Sequence, residues 1–294
     1  MPFVKMHGLG NDYLFIDVRA RAIDDPPELA RRMSDRRRGV GADGIILIAR
    51  PEDPDAADLA MRIFNADGSE AEMCGNGIRC LAKFAYERGL AAHTPIRVET
   101  PASVLGLEVA VEANRVREVT VAMGRPRLEP AEVPVALAGP GPIADRGLDA
   151  TLPIDPAADW AVACGLEPVW SAVGMGNPHL VLFCRALGAV PLEIVGPALE
   201  RCPLFPRRTN VHFVVVANRQ LLWMRTWERG SGVTHACGTG ACAVAVVAAL
   251  TGRAERATRV ELPGGGLDIE WDDADGVRMR GPAVEVFEGV WEGA

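Results

Sequence analysis

The sequence predicts an α+β protein of two homologous domains, each a mostly antiparallel sheet or barrel wrapped round a central buried helix. Three observations predict it. The segment 234–250, Thr-His-Ala-Cys-Gly-Thr-Gly-Ala-Cys-Ala-Val-Ala-Val-Val-Ala-Ala-Leu, runs from a Cys-Gly-Thr-Gly turn into a helix of small apolar residues. A helix apolar all round is buried all round, so only its first turn is expected to be open to a ligand. The same design stands at 73–89, Met-Cys-Gly-Asn-Gly-Ile-Arg-Cys-Leu-Ala-Lys-Phe-Ala-Tyr-Glu-Arg-Gly, with Cys74 in the place of Cys237. Around both helices lie short apolar runs bounded by turn residues, without the strand–helix alternation of a dinucleotide-binding domain, so the Gly8-x-Gly10 pair is a weak dinucleotide signal.

Taken in order, the elements repeat. Gly8-Leu-Gly-Asn11 and Gly174-Met-Gly-Asn177 are glycine turns ending in Asn ahead of an apolar run. Met61-Arg-Ile-Phe-Asn65 pairs with Met224-Arg-Thr-Trp-Glu228, and a cysteine follows each Met by thirteen positions. The two helices should end at Gly89 and Gly252, each fifteen residues past its cysteine, because glycine suits a helix C-terminus. Arg97-Val-Glu-Thr-Pro101 then pairs with Arg259-Val-Glu-Leu-Pro263. One order at a nearly constant offset indicates two halves, 1–124 and 125–282, with 284–294 carrying a last strand that returns to the first half. In the first half the strands read 14–18, 45–49, 61–64, 96–99, 107–111 and 116–123, with a second helix at 27–33. The Pro/Gly-rich stretch 125–156 is expected to open the second half and cover the surface.

Composition narrows the function. The chain of 294 residues has room for two domains, and 31 basic against 39 acidic residues argues against a general nucleic-acid binder. Arg36-Arg-Arg38 reads as a solvated turn or helix end. The N-terminus shows no basic leader with an apolar h-region, and no apolar run reaches membrane-spanning length, so a cytoplasmic protein with no membrane partner is expected. Seven cysteines suit free thiols in a reducing compartment. The lysines are only Lys5 and Lys83, one beside the N-terminus and one inside a helix, which weakens any reading through a pyridoxal phosphate Schiff base.

The doubled Cys-Gly-x-Gly start points to a particular chemistry. At a helix start the backbone N–H groups are unpaired and the dipole is positive, so a thiolate is favoured and an anionic group can dock. If the halves face one another about a pseudo-two-fold axis, with the active site in the cleft between them, Cys74 and Cys237 approach one ligand from opposite sides. One thiolate then takes an α-proton while the opposite thiol delivers one, and configuration inverts. N–H groups near Gly75, Asn76, Gly238 and Thr239 would hold the carboxylate on which charge grows, the glycines letting the substrate approach the backbone. No metal and no organic cofactor is then required.

Other readings compete. A single Cys-Gly-x-Gly start more often reflects packing, and it is the duplication that favours catalysis. A zinc or redox site of Cys74, Cys80, Cys237 and Cys242 has poor spacing for a structural zinc knuckle. Cys80, Cys242, Cys164, Cys184 and Cys202 read as buried small hydrophobes. A non-catalytic thiol sensor with the same cleft stays open.

Met6-His-Gly-Leu-Gly-Asn-Asp12, Phe64-Asn-Ala-Asp-Gly-Ser69, Met73-Cys-Gly-Asn-Gly-Ile-Arg-Cys80, Met175-Gly-Asn-Pro-His179, Thr209-Asn-Val211, Glu228-Arg-Gly230 and Ala236-Cys-Gly-Thr-Gly-Ala241 together resemble the motif set of the diaminopimelate epimerase family. The resemblance runs from the first residues to Pro263-Gly-Gly. It implies cofactor-independent interconversion of LL- and meso-2,6-diaminopimelate, for lysine and peptidoglycan precursors, in a cytoplasmic homodimer. It also implies Cys74 and Cys237 as the acid/base pair, assisted by His179 and Glu228. Gly75, Asn76, Gly238, Thr239 and Asn11 would contact the reacting end. Asn65, Asn177, Asn210 and Arg229 would read the distal carboxylate, and Glu228 the distal ammonium. That division agrees with elementary recognition, since guanidinium and amide groups suit a carboxylate. A proline-type racemase has no use for the distal set, whereas a broad-specificity racemase remains a rival.

The sequence departs from the family's pattern in places. Gly44 stands where some members have Gln, Val233 where a Glu is frequent, and His235 where an apolar or amide residue is common. The last two bear on the tuning of Cys237.

Overall fold

The computed structural model describes residues 1–71, 73–101, 103–148 and 152–293. The chain divides into two compact units, Met1–Ala122 with Arg280–Ala294, and Met123–Met279.

In the first unit β1 (Pro2–Gly8) and β2 (Asn11–Asp17) form an antiparallel hairpin whose corner places Leu9 and Gly10 at φ 57° and 86°. Positive φ at both corner residues is the geometry that follows the twist of a two-residue hairpin. β1 is missing from the strands read above, because Pro2, Lys5 and His7 dilute its apolar signal, although Phe3, Val4 and Met6 are buried. Helix α1 (Pro26–Ser34) starts at Asp25, whose carboxylate accepts the Glu28 N–H, and carries prolines in its first turn where no N–H is needed.

β3 (Gly44–Ala49) runs parallel to β2, and β4 (Leu59–Asn65) pairs antiparallel with β3 and with the short β5 (Glu70–Ala71). After helix α2 (Gly75–Glu87), β6 (Ile96–Glu99) lies parallel to β4, and β7 (Val104–Glu112) and β8 (Arg115–Gly124) follow as an antiparallel meander. The two parallel steps are those that carry α1 and α2 in their crossovers. α2 packs on β1, β2 and β7, so the sheet curves round it.

The second unit repeats this order. β9 (Ile143–Gly147) and helix α3 (Asp159–Cys164) precede the hairpin β10 (Val169–Gly174) and β11 (Pro178–Phe183). Helix α4 (Leu192–Glu200) crosses to β12 (Asn210–Asn218), parallel to β11, and β13 (Leu221–Glu228) pairs antiparallel with β12 and the short β14 (Gly232–Thr234). Helix α5 (Gly238–Leu250) crosses to β15 (Ala257–Leu262), parallel to β13 and antiparallel to β16 (Gly265–Asp272). β17 (Gly276–Pro282) and β18 (Val284–Val290) end the chain, β18 lying antiparallel on β1.

The helix carried by each unit obeys the burial its composition demands. α5 is buried at Gly238 and from Gly240 to Ala248, and touches β10, β11, β12, β13, β15 and β16. Both α2 and α5 end in a left-handed glycine, Gly89 at φ 67° and Gly252 at φ 71°. Leu90 N–H reaches Ala85 O and Gly89 N–H reaches Tyr86 O, with Arg253 to Ala248 and Gly252 to Ala249 as the counterparts. This Schellman pairing satisfies carbonyls that a helix end leaves open.

One expectation needs correction. The Pro/Gly-rich stretch does more than cover a surface, since Val133, Val135, Ile143, Leu152 and Ile154 enter the core around Trp170, Phe205 and Phe213, and 143–147 forms β9. Its prolines end regular structure, while the apolar residues between them fill the space under α4.

The last turn of α2 is tied to β8 by a buried carboxylate. Glu87 accepts from Lys83 Nζ at 2.7 Å and from the Val116 N–H at 2.7 Å, and Lys83 also donates to Val116 O. Burial opposes the charge on Glu87, but the Lys83, Val116 and Arg115 donors outweigh it and hold its pKa below the ordinary 4.5. The resulting stability is present in full above 4.5 and is lost as pH falls through the lowered folded value. Glu87→Gln, which leaves the Lys83 ammonium without its buried anion, should reduce unfolding free energy at pH 7 by about 3 kcal/mol. Urea titrations of both proteins at descending pH should show that difference shrinking below 4.5.

Candidate active site

Cys74 is the N-cap of α2, in extended backbone (φ −139°, ψ 110°), and its Sγ accepts the Gly77 N–H at 3.3 Å. The sulfur therefore does what a serine or threonine oxygen does at other helix starts, at the positive end of the dipole. Its S–H reaches Asn11 Oδ1 at 3.4 Å, and the Asn76 carboxamide donates to the same oxygen at 3.3 Å.

Charged residues brace these amides. Asn11 Nδ2 donates to Asp43 at 2.8 Å, and Asp43 also takes the Asp12 N–H. Arg36 donates to both Asp12 and Asp43, and Lys5 lies 2.9 Å from Asp12. Burial pushes the Asp12 carboxyl up, yet Arg36 and Lys5 bring it below its ordinary value. Arg36 is thus more than part of a solvated turn. On the other side the fully buried Arg79 donates to Asn76 Oδ1 at 2.9 Å and to Gly75 O at 3.0 Å, which turns the Asn76 Nδ2 toward Asn11. Asn65, at the end of β4, donates to Ser69 Oγ at 3.0 Å. The Tyr13 hydroxyl is pushed well above its ordinary range by burial and then by the neighbouring Cys74 sulfur.

In the second unit Cys237 is the N-cap of α5 and is only 4% exposed. Burial drives its thiol well above the ordinary range, and the Glu228 carboxylate beside it adds to this, against the opposing Gly240 N–H and Thr239 hydroxyl. The open first turn and favoured thiolate expected from the sequence are therefore corrected here. Desolvation of a charged sulfur outweighs the dipole, and Cys237 rests as a thiol. Glu228, at the end of β13, accepts from Thr234 Oγ1 at 2.5 Å. Its own pKa is raised by burial, with the Thr234 and Cys237 hydrogen bonds pulling the other way.

Glu228 and Arg229 diverge. Arg229 is exposed, its N–H donating to Asn210 Oδ1 at 3.0 Å and its guanidinium to Arg207 O at 3.1 Å. The buried Asn210 donates to Pro178 O at 3.0 Å, so its carboxamide ties β12 to β11 and to the Glu228-Arg229 corner. His179, fully buried on β11, uses both ring nitrogens: Nε2 meets Asn177 Oδ1 at 2.7 Å and Nδ1 meets His212 Nε2 at 2.8 Å. It is a partner of Asn177 rather than of a thiol. Val233 and His235 are exposed. Glu228, Thr239 and Gly240 are the groups that shift Cys237, and the His235 substitution is not among them.

The second glycine of each Cys-Gly-x-Gly has a different reason from the one expected. A Cβ on Gly77 would lie 2.5 Å from Ile46 Cδ1, and one on Gly240 would lie 2.4 Å from His212 Cε1. Both let a helix start press on a strand of its own unit. Gly44 is equally confined, with an added Cβ 2.3 Å from Phe64 O, so β3 and β4 close over the place where other members carry Gln.

Asp43, Arg79, Thr234 and His212 were not singled out from the sequence. His212 had a signal, standing two positions after Asn210 and hence on the same face of β12. Arg79 had one too, lying three residues after Asn76 on α2, whereas Asp43 and Thr234 act across turns whose closure a linear reading does not show. Among the described residues no three His, Cys, Asp or Glu side chains converge as metal ligands, and no helix is long and apolar enough to cross a membrane.

The fold is shared with a class of isomerases and their relatives. A phenazine biosynthesis protein of Bacillus anthracis superposes with a TM-score of 0.69 at 16% identity, covering 98% of both chains. A hydroxyproline epimerase of Agrobacterium vitis gives 0.64 at 14% identity, over 98% of this chain and 91% of that one. The particular family is fixed by sequence. The family model for diaminopimelate epimerase matches residues 3–129 and 171–286. The diaminopimelate epimerase of Desulfitobacterium hafniense is 48% identical over 293 residues, covering 99% of this chain and 98% of that one. That of Desulforudis audaxviator is 51% identical over 294 residues, covering 99% of each. The chain belongs to the diaminopimelate epimerase family.

Because Gly240 is pressed between the His212 ring and the Cys237 sulfur, Gly240→Ala should cost about 1–3 kcal/mol of stability through overpacking. Denaturant unfolding of the purified variant measures it, and an unchanged midpoint would mean that the ring moves aside freely.

Proposed function

We propose that this chain interconverts LL- and meso-2,6-diaminopimelate by a two-base mechanism without an organic cofactor or metal, Cys74 and Cys237 acting on opposite faces of one α-carbon. The observation that carries this reading is the repeated cysteine N-cap, together with family membership. In one unit the sulfur is braced by amides, and in the other it is held protonated beside a carboxylate. Two thiols at matching helix starts, one of them held protonated by its surroundings, are what an acid and a base at one carbon require.

Cys237, a thiol at rest, serves as the acid, and Cys74 serves as the base in its thiolate form, which the Gly77 N–H on its sulfur supports. The α-proton is far less acidic than a thiol, and each unit of mismatch costs about 1.4 kcal/mol. Backbone N–H groups near Gly75, Asn76, Gly238 and Thr239 offset this by binding the carboxylate on which the enolate-like charge grows, with Asn11 beside it. At the far end Asn65, Asn177, Asn210 and Arg229 take the second carboxylate and Glu228 the second ammonium. That distal set disfavours proline-type substrates, which have neither group. His179 assists through Asn177, and Glu228 also assists through the Cys237 proton. We further propose that the enzyme works as a cytoplasmic homodimer.

The decisive test is incubation with LL-diaminopimelate in deuterated water, no cofactor added, following α-deuteration and stereochemistry. Solvent deuterium should enter the epimerised centre, and Cys74→Ser and Cys237→Ser should each lower kcat for epimerisation at least about a hundredfold while circular dichroism stays native. Retention of epimerisation in either folded variant rejects the two-thiol mechanism.

The rate should pass through a maximum with pH, its limbs belonging to the thiol pair. Burial and Glu228 both raise the Cys237 pKa, so the acid stays protonated to high pH and the falling limb lies late. Glu228→Gln removes the carboxylate, lowers that pKa, and should move the falling limb toward lower pH with a reduced maximum. A limb that stays in place means the carboxylate does not act on the thiol.

A further inference from the structure

His212 lies outside every role given above, yet it sits in a continuous chain of four hydrogen-bonding groups that is buried at Thr226, His212 and His179 and ends at the half-buried Asn177. Thr226 Oγ1 is 2.9 Å from His212 Nδ1, His212 Nε2 is 2.8 Å from His179 Nδ1, and His179 Nε2 is 2.7 Å from Asn177 Oδ1. The two rings stack at 5.1 Å with planes 29° apart. Both are fully buried, and burial keeps His212 neutral, with its pKa down to about 3, and His179 well below its ordinary value.

A neutral imidazole has one N–H and one lone pair, so a chain of two runs in one direction only. With the Asn177 oxygen facing His179, the Thr226 hydroxyl donates to His212, His212 Nε2–H donates to His179, and His179 Nε2–H donates to Asn177. Both nitrogens of His212 are then committed, which rules it out as a base for Cys237 although its ring lies against Gly240. The direction has a consequence at the far end. It leaves the Asn177 Nδ2 group, a donor, as the part of the carboxamide not held by His179. The reverse direction would turn the oxygen outward, which repels a carboxylate.

We propose that His212 is a positioning residue for the distal end of the substrate: anchored by Thr226, it fixes the tautomer and ring plane of His179 and so keeps the Asn177 carboxamide with its donor toward the ligand. The inference rests on the reading in which Asn177 binds the distal carboxylate.

Two measurements test it. In the intact enzyme labelled with nitrogen-15 histidine, long-range proton–nitrogen spectra should show His179 and His212 both neutral, with protonated Nε2 and bare Nδ1. An Nδ1–H tautomer or a charged ring at His179 near neutral pH overturns the proposal without any variant. In kinetics with LL-diaminopimelate, His212→Leu should raise KM about tenfold with kcat within about twofold, as loss of one aligned bond to a charged group predicts. His212→Gln, whose amide nitrogen reaches the place of Nε2, should restore most of the loss. An unchanged KM in folded His212→Leu, or a fall in kcat alone, overturns the positioning role. Asn177→Ala with unchanged KM would instead overturn the site reading beneath it, while the tautomer spectra would still stand.

Discussion

A buried helix that starts at a cysteine N-cap is the constraint on which each unit depends. A helix start leaves N–H groups without partners, and burying them is costly unless something accepts them. In α2 the Cys74 sulfur accepts one itself, from Gly77. In α5 the Cys237 side chain makes no cap hydrogen bond of that kind, and the burial around it favours the protonated form. Chemically identical groups thus sit in different surroundings: one sulfur lies between the Gly77 N–H and the Asn11 carbonyl, the other is desolvated beside Glu228.

Everything near the two sulfurs serves to hold short polar groups in fixed orientations. Asn11 is gripped by Asp43, and Asp43 by Arg36. Asn76 is turned by Arg79, Glu228 is held by Thr234, and Asn177 by His179. Amides are neutral and adaptable, so their orientation has to come from neighbours with only one way to bond. Cations fill that place in the first unit. In the second, an uncharged chain through two imidazoles does, which avoids setting a cation deep in the core beside Cys237.

The duplicated topology explains why the same devices recur with different outcomes. Strand order, crossover helices and glycine-ended central helices are common to both units, because each must wrap a curved sheet round one helix. The side chains at matched positions were free to diverge. Asn65 and Glu228 close β4 and β13, the long strands paired with the short one before each cysteine, yet one bonds a serine hydroxyl and the other sits against a thiol.

The sequence by itself determined the α+β class, the two central helices and their glycine ends, and, among the neighbours of the cysteines, Asn11 and Asn76 beside Cys74 and Glu228 and Thr239 beside Cys237. These are local matters of hydrophobic period, turn chemistry and motif, which a linear reading can see. It missed β1, whose apolar residues are separated by polar ones, and it read 125–156 as a cover although that stretch supplies core residues. Only the tertiary structure decided that Cys237 is a buried thiol, that Gly77 and Gly240 are needed for close packing, and that His212 stands behind His179. Proton affinity and steric room depend on which distant segments close over a residue, and no spacing along the chain encodes that enclosure.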